Sequence, residues 1–199
     1  MQPKPPLALA GMRIGLLGGS FNPAHEGHRH ISVAALQRLR LHRLWWVVTP
    51  ANPLKAKTDL ASLAERVEAA DKVASHPLIE VTDFEAALTR PFTVETLAHL
   101  KRRFPGVYFV WVMGGDNLAQ FHRWNAWRRI FHIMPIAVMD RPGERLKALS
   151  SPAARQFANA RLPEREAAAL PLMKPPAWTY LTIHLSALSS SDLRKAGNR

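Results

Sequence analysis

The residues best suited to chemistry lie close together in Gly18-Gly19-Ser20-Phe21-Asn22-Pro23-Ala24-His25-Glu26-Gly27-His28. The glycines let the backbone approach a ligand closely and take up positive φ. The N–H groups of a helix starting after Pro23 would point at an anion. His25 and His28 stand three apart, and positions i and i+3 share a helix face, so both imidazoles can look at one ligand. Together these residues describe a turn built to hold phosphate.

Such a turn needs a strand before it and a helix after it. Residues 12–17 carry Met12, Ile14, Leu16 and Leu17, an apolar run of strand length, and residues 31–39 have apolar positions at helical spacing. Further apolar runs at 44–48, 78–81, 107–113 and 136–139 predict strands, and 179–185 alternates as a last one. Helices are predicted over 62–74, where Ser62 and Glu65 have capping-box spacing, over 93–104, in short pieces at 117–120 and 124–131, and over 190–196. Near-continuous apolar strands alternating with helices indicate a parallel sheet covered on both faces. The fold class is therefore α/β, a doubly wound, Rossmann-like parallel sheet flanked by helices. Residues 146–178, rich in Ala, Arg and Pro, allow only short helices. Residues 1–11, with Pro3, Pro5 and Pro6, read as a disordered tail ahead of a single domain over 12–199.

Composition narrows the chemistry. There is no cysteine, which excludes disulfides and cysteine-ligated metals and is compatible with a reducing, cytoplasmic setting. A formal net charge of +12 favours anionic partners. The basic residues are scattered, however, so nucleic acid is not expected as a partner. No run of about 18 apolar residues predicts a membrane span. G-x-x-x-x-G-K-[ST] and G-x-G-x-x-G are both absent, and His25-Glu26-Gly27-His28 lacks the spacing of H-E-x-x-H, which argues against a zinc protease. A metal site from His25, His28 and His30 is the alternative left by ligand type, and the expectation is no resident protein metal.

The segment from Gly18 to His28 resembles the G-G-x-F-x-P-x-H-x-G-H signature of H/T-x-G-H nucleotidyltransferases. Three further stretches follow in the family's order. Pro91-Phe92-Thr93-Val94-Glu95-Thr96-Leu97 is similar to S-Y-T-x-x-T-L, Gly114-Gly115-Asp116 to G-x-D, and Leu188-Ser189-Ser190-Ser191-Asp192-Leu193-Arg194 to I-S-S-T-x-I-R of the bacterial nicotinate-nucleotide adenylyltransferases. Phe92 replaces Tyr, Leu188 replaces Ile, Ser191 replaces Thr, and Glu26 stands where the family often has an apolar residue.

The resemblance implies a nucleotidyltransferase-type fold that transfers AMP from Mg2+-bound ATP to nicotinate mononucleotide in NAD biosynthesis, releasing pyrophosphate. Nicotinamide mononucleotide and phosphopantetheine are the rival acceptors, and a basic nucleic-acid-binding module on an inactive nucleotide fold is the rival of another class. A mononucleotide 5′-phosphate has a second pKa of about 6 and is already ionised at neutral pH, so no general base is required. The enzyme must hold two anions in line and stabilise charge at the α-phosphate and the departing pyrophosphate. His25 and His28 are assigned that task, with His28 at the α-phosphate, or are histidines at a helix start making local hydrogen bonds; Gly18, Gly19, Ser20, Phe21 and Gly114 are the ATP-binding frame. Ser190, Ser191 and Arg194 would grip the β and γ phosphates, or serve as a plain helix cap with a surface arginine. Asp116, at the end of a central strand, would accept from ribose hydroxyls, or cap the helix from Asn117. On the acceptor side stand Thr93 and Trp124, which resemble the family's pyridine contacts, together with Lys55 and Arg141 as anion candidates. A core tryptophan, a solvated lysine and a surface arginine are the plainer readings of the last three.

Overall fold

The computed structural model describes residues 4–50, 60–89 and 92–183. Seven parallel strands form one sheet in the order β3-β2-β1-β4-β5-β7-β6. They are β1 Arg13–Gly19, β2 Arg43–Val48, β3 Ile79–Thr82, β4 Tyr108–Gly114, β5 Ile136–Met139, β6 Arg161–Leu162 and β7 Trp178–Leu181. Each predicted strand is present, and β6 is an added two-residue edge strand paired with the start of β7.

Side chains alternate between two buried faces, as the period of a strand demands. Ile14, Leu16, Trp45, Val47, Phe109, Trp111 and Met113 point to one side, which is covered by α3 Thr93–Arg103, α4 Gly115–Gln120 and α5 Trp127–Ile133. Leu17, Leu44, Trp46, Val48, Val110 and Val112 point to the other, which is covered by α1 Glu26–Arg38 and α2 Leu63–Ala74. The neighbours Trp45 and Trp46 therefore anchor opposite layers, and both are fully buried. Helix α2 begins as its sequence predicts: Ser62 Oγ accepts from the Glu65 N–H, and Glu65 Oε2 accepts from the Ser62 N–H.

Beyond β5, the chain makes α6 Arg145–Leu149, α7 Pro152–Gln156 and 3-10 turns over Ala158–Ala160 and Glu164–Leu172 before entering β7. The prolines there keep every piece short, as expected. Residues 8–11 differ from the reading of a disordered tail. Ala8 packs against the core, and the Gly11 N–H donates to Gly106 O at 2.8 Å, with Gly11 at φ +85° turning the chain into β1.

Strand order places the site. From β1 the chain winds out through β2 and β3, then returns to the other side of β1 as β4. The crevice beyond the C-terminal ends of β1 and β4 is the switch point at which open α/β sheets bind ligands. The 18–28 turn leaves β1 there, and Gly114-Gly115-Asp116 leaves β4 there.

Candidate nucleotide site

His25 is not inside α1 but is its N-cap, in extended conformation, and His28 is the third helical residue. The two imidazoles form the capping box that Ser and Glu form elsewhere. His25 Nδ1 accepts from the Gly27 N–H at 3.1 Å, and the His25 N–H donates to His28 Nδ1 at 3.3 Å. The rings lie against each other with centroids 3.9 Å apart. Because both Nδ1 atoms accept, each neutral ring carries its proton on Nε2. This alters the expectation that bare helix N–H groups face the anion: Gly27 N–H is taken by His25 Nδ1 and His28 N–H by His25 O, so imidazole donors take their place.

His25 Nε2 is buried and has no hydrogen-bond partner among the described residues. Burial pushes the His25 pKa below the ordinary histidine value, and the Arg141 guanidinium pushes it the same way. A neutral ring whose Nε2 carries the proton presents a buried donor at the crevice. Support comes from below. Phe21 stacks on Trp46 (5.0 Å, 14°) and lies 4.8 Å from the His28 ring, and Trp46 Nε1 donates to Ser32 Oγ, which donates to His28 O.

Phe21 and the glycines act differently from expectation. The Phe21 ring is 2% exposed, so it offers a floor for His28 and no ligand-facing surface. The positive φ of the turn falls on Phe21, at 45°, and not on a glycine. At Gly18 a Cβ would run into the Trp111 indole, so this glycine exists to seat β4's tryptophan beside β1. Gly114 is needed because the Asp116 carboxylate and the Arg141 side chain fold back over it.

Asp116 lies in the first turn of α4, whose N-cap is Gly114 without a side-chain bond, so Asp116 is not a helix cap. Its Oδ2 pairs with Arg141 Nη1 at 3.4 Å, and its Oδ1 is buried without a partner among the described residues. Arg141 follows β5, its side chain is only 26% exposed, and it folds over Gly114 to pair with Asp116 rather than standing free at the surface. Its N–H donates to Asp140 Oδ1, which also accepts from the Tyr180 hydroxyl at 2.6 Å. Burial and the Asp140 charge raise the Tyr180 pKa, so that hydroxyl remains a donor. In this way β7 braces the loop that carries Arg141.

Of the acceptor candidates, Trp124 is half-buried and packs edge-on to Trp111 (6.4 Å), the residue that fills the space over Gly18. It precedes α5, which starts three residues later than predicted, after a left-handed Ala126. Thr93 is the first residue of α3. Ser20 leaves β1 half-buried, its carbonyl bonded to Arg66. Lys55, Ser190, Ser191 and Arg194 lie outside the described residues. Sequence reasoning missed three buried charged residues beside the site, Arg66, Glu85 and Asp140, whose local sequence gives no sign of their burial.

A switch-point crevice lined by imidazole and guanidinium groups on a 3-2-1-4-5 parallel sheet defines an α/β domain suited to binding a phosphorylated nucleotide. The cytidylyltransferase-like family model matches residues 16–196. A Cereibacter sphaeroides protein is 52% identical over 186 residues, which make up 94% of this chain and 98% of that protein. A Brucella suis protein is 52% identical over 92% of this chain and 95% of its own length. Both bear the name probable nicotinate-nucleotide adenylyltransferase. Among solved structures, Plasmodium falciparum nicotinic acid mononucleotide adenylyltransferase complexed with NaAD superposes with a TM-score of 0.69, covering 92% of this chain and 83% of that one. At 19% identity, that likeness speaks for the fold. The chain belongs to the cytidylyltransferase-like family and, within it, to the nicotinate-nucleotide adenylyltransferases.

Proposed function

We propose that this site transfers AMP from ATP to the 5′-phosphate of nicotinate mononucleotide, with His25 and His28 donating to phosphate oxygens through Nε2. The observation that carries the proposal is the buried Nε2 of His25, which has no partner among the described residues and whose ring is kept neutral by burial and Arg141. The acceptor phosphate, ionised without help, attacks the α-phosphorus, the bond to the bridging oxygen breaks, and pyrophosphate leaves with its electrons. A neutral imidazole N–H donates to the developing charge without exchanging a proton, so the enzyme's contribution is placement and preorganised polarity.

Arg141 supplies positive charge at the same end of the sheet, and Asp116 Oδ1 is an acceptor for a ribose hydroxyl. Ser190, Ser191 and Arg194 are proposed to hold the β and γ phosphates, and Thr93, Trp124 and Lys55 the acceptor. Mg2+ is expected to arrive on the triphosphate, where it neutralises charge. Among the described residues no cluster of three or more His, Asp or Glu side chains could hold the ion itself, and the imidazoles and Arg141 suit the phosphates. The location proposed is the cytoplasm. Among the described residues, no helix is long and apolar enough to cross a membrane.

The test is pyrophosphate release by purified protein with Mg-ATP and, in separate reactions, nicotinate mononucleotide, nicotinamide mononucleotide and phosphopantetheine. Fastest release with nicotinate mononucleotide is expected. Release with none of the three would end the adenylyl-transfer reading, and preference for phosphopantetheine would end the pyridine one.

A further inference from the structure

Arg66, on α2, is 2% exposed, and its guanidinium is spent on main-chain carbonyls from three separate stretches. Nη1 donates to Ser20 O at 2.7 Å and to Thr49 O at 2.8 Å, Nη2 to Pro50 O at 3.3 Å, and Nε to Ala61 O at 3.0 Å. Ser20 belongs to the turn that leads to His25, and Thr49 and Pro50 leave β2, the neighbouring strand. Among the described residues, no carboxylate lies within ion-pair distance of it. A buried, unpaired guanidinium is a costly choice for simple packing, and its planar fork of five fixed donors suits several fixed acceptors.

The bonding continues past Thr49. The Thr49 side chain is hydrogen bonded to Glu85, which is 5% exposed, and Glu85 Oε1 accepts from Thr96 Oγ1 at 2.6 Å. Thr96 Oγ1 also lies 3.3 Å from Phe92 O, the N-cap carbonyl of α3, immediately before Thr93. One buried polar chain therefore runs from Ser20 through Arg66, Thr49, Glu85 and Thr96 to the start of α3. Its two ends are the turn assigned to ATP and the helix end assigned to the acceptor.

We propose that Arg66 is a positioning residue for adenylyl transfer: with Thr49 and Glu85 it forms an internal brace that fixes the distance between the ATP turn at Ser20 and the acceptor end of α3. The inference rests on the reaction proposed above. It follows from the need to align two bound anions, since a misplacement of about 1 Å can lower turnover on the order of 100-fold without removing a binding contact.

The experiment compares the parent chain with Arg66→Lys, which keeps the cation but loses the fork, and with Thr49→Val, an isosteric change that cuts the brace at its middle. Turnover is measured at a temperature where both variants are folded. ATP and nicotinate mononucleotide affinities are measured separately by calorimetry, and amide hydrogen exchange is followed without substrates. The expected result is a fall in kcat of about tenfold or more with each dissociation constant within about threefold of the parent's, the signature of lost alignment. Faster exchange is expected at both 19–22 and 93–97. A kcat within about twofold of the parent's in either folded variant, or loosening confined to 49–50 and 61–66, would overturn the proposal. If Arg66→Lys does not fold, Thr49→Val decides alone. A parent chain without turnover would refute the transfer reaction, and the exchange data, which need no turnover, would still report whether the brace couples the two ends.

Discussion

Replacing His25 by asparagine and by alanine separates its two functions. His25 caps α1 through Nδ1 and presents a donor through Nε2, and a shorter side chain can keep the first function while losing the second. Asparagine is among the strongest N-cap residues, so His25→Asn should preserve the bond from the Gly27 N–H. Alanine forfeits that bond, a cost of about 0.5–2 kcal/mol. The ring is 5% exposed, so alanine also leaves a void, and a total loss of about 2–3 kcal/mol is expected. In a domain of this size that lowers Tm by roughly 4–12 °C. Activity should not follow the same order. Both variants lack the Nε2 donor, and losing one preorganised donor to a developing oxyanion costs on the order of 100- to 1,000-fold in kcat. Thermal melts and pyrophosphate-release kinetics on the three proteins make the comparison. The reasoning fails if His25→Asn retains kcat within about threefold of the parent, or if the two variants lose activity in proportion to their loss of stability.

Gly18→Ala places a methyl group against the Trp111 indole and should destabilise the domain by about 1–3 kcal/mol, with Trp111→Leu relieving much of that cost in the double variant, as read by urea unfolding. Arg141→Gln removes the charge that helps keep His25 neutral, so the His25 pKa should move up toward the ordinary value, measurable by NMR titration of the ring; no movement would separate Arg141 from the site. Ser32→Ala leaves the Trp46 N–H without its acceptor beneath His28 and should cost about 1–3 kcal/mol in a thermal melt.

Most of the sheet was legible because parallel strands buried on both faces read as unbroken apolar runs, and 136–139 and 44–48 have no other economical explanation. The α2 start was legible because Ser62 and Glu65 lie within one turn of each other. What could not be read depends on contacts between distant segments. Arg66 looks like one more polar residue of an amphipathic helix until Ser20, Thr49 and Pro50 are brought to it. Gly18 fits a phosphate-binding pattern, yet its lack of a side chain is required by a tryptophan 93 positions away. The pairing of His25 with His28 was visible in the spacing. Local hydrogen bonding by histidines at a helix start was also a reading the sequence offered, and both rings do it through Nδ1. What the sequence did not show is that this leaves the His25 Nε2 buried beside Arg141.

The capping role carries a pH dependence with a definite sign. The folded-state pKa of His25 lies below its unfolded value, first because of burial and then because of Arg141. As pH falls, the unfolded chain therefore takes up this proton before the folded one does. The stability contributed by the neutral ring is complete above about pH 6.5, the ordinary histidine value, and is lost as pH falls from there toward the depressed folded pKa. Protonation also turns Nδ1 from acceptor to donor, which breaks the bond from the Gly27 N–H and opens the start of α1. Unfolding free energies of the parent and of His25→Asn, measured at steps from pH 7.5 to 5, should accordingly converge as the pH falls, because asparagine caps without titrating. Parallel curves would mean that the imidazole is not held neutral by its site, and the assignment of a preset Nε2 donor would fall with it.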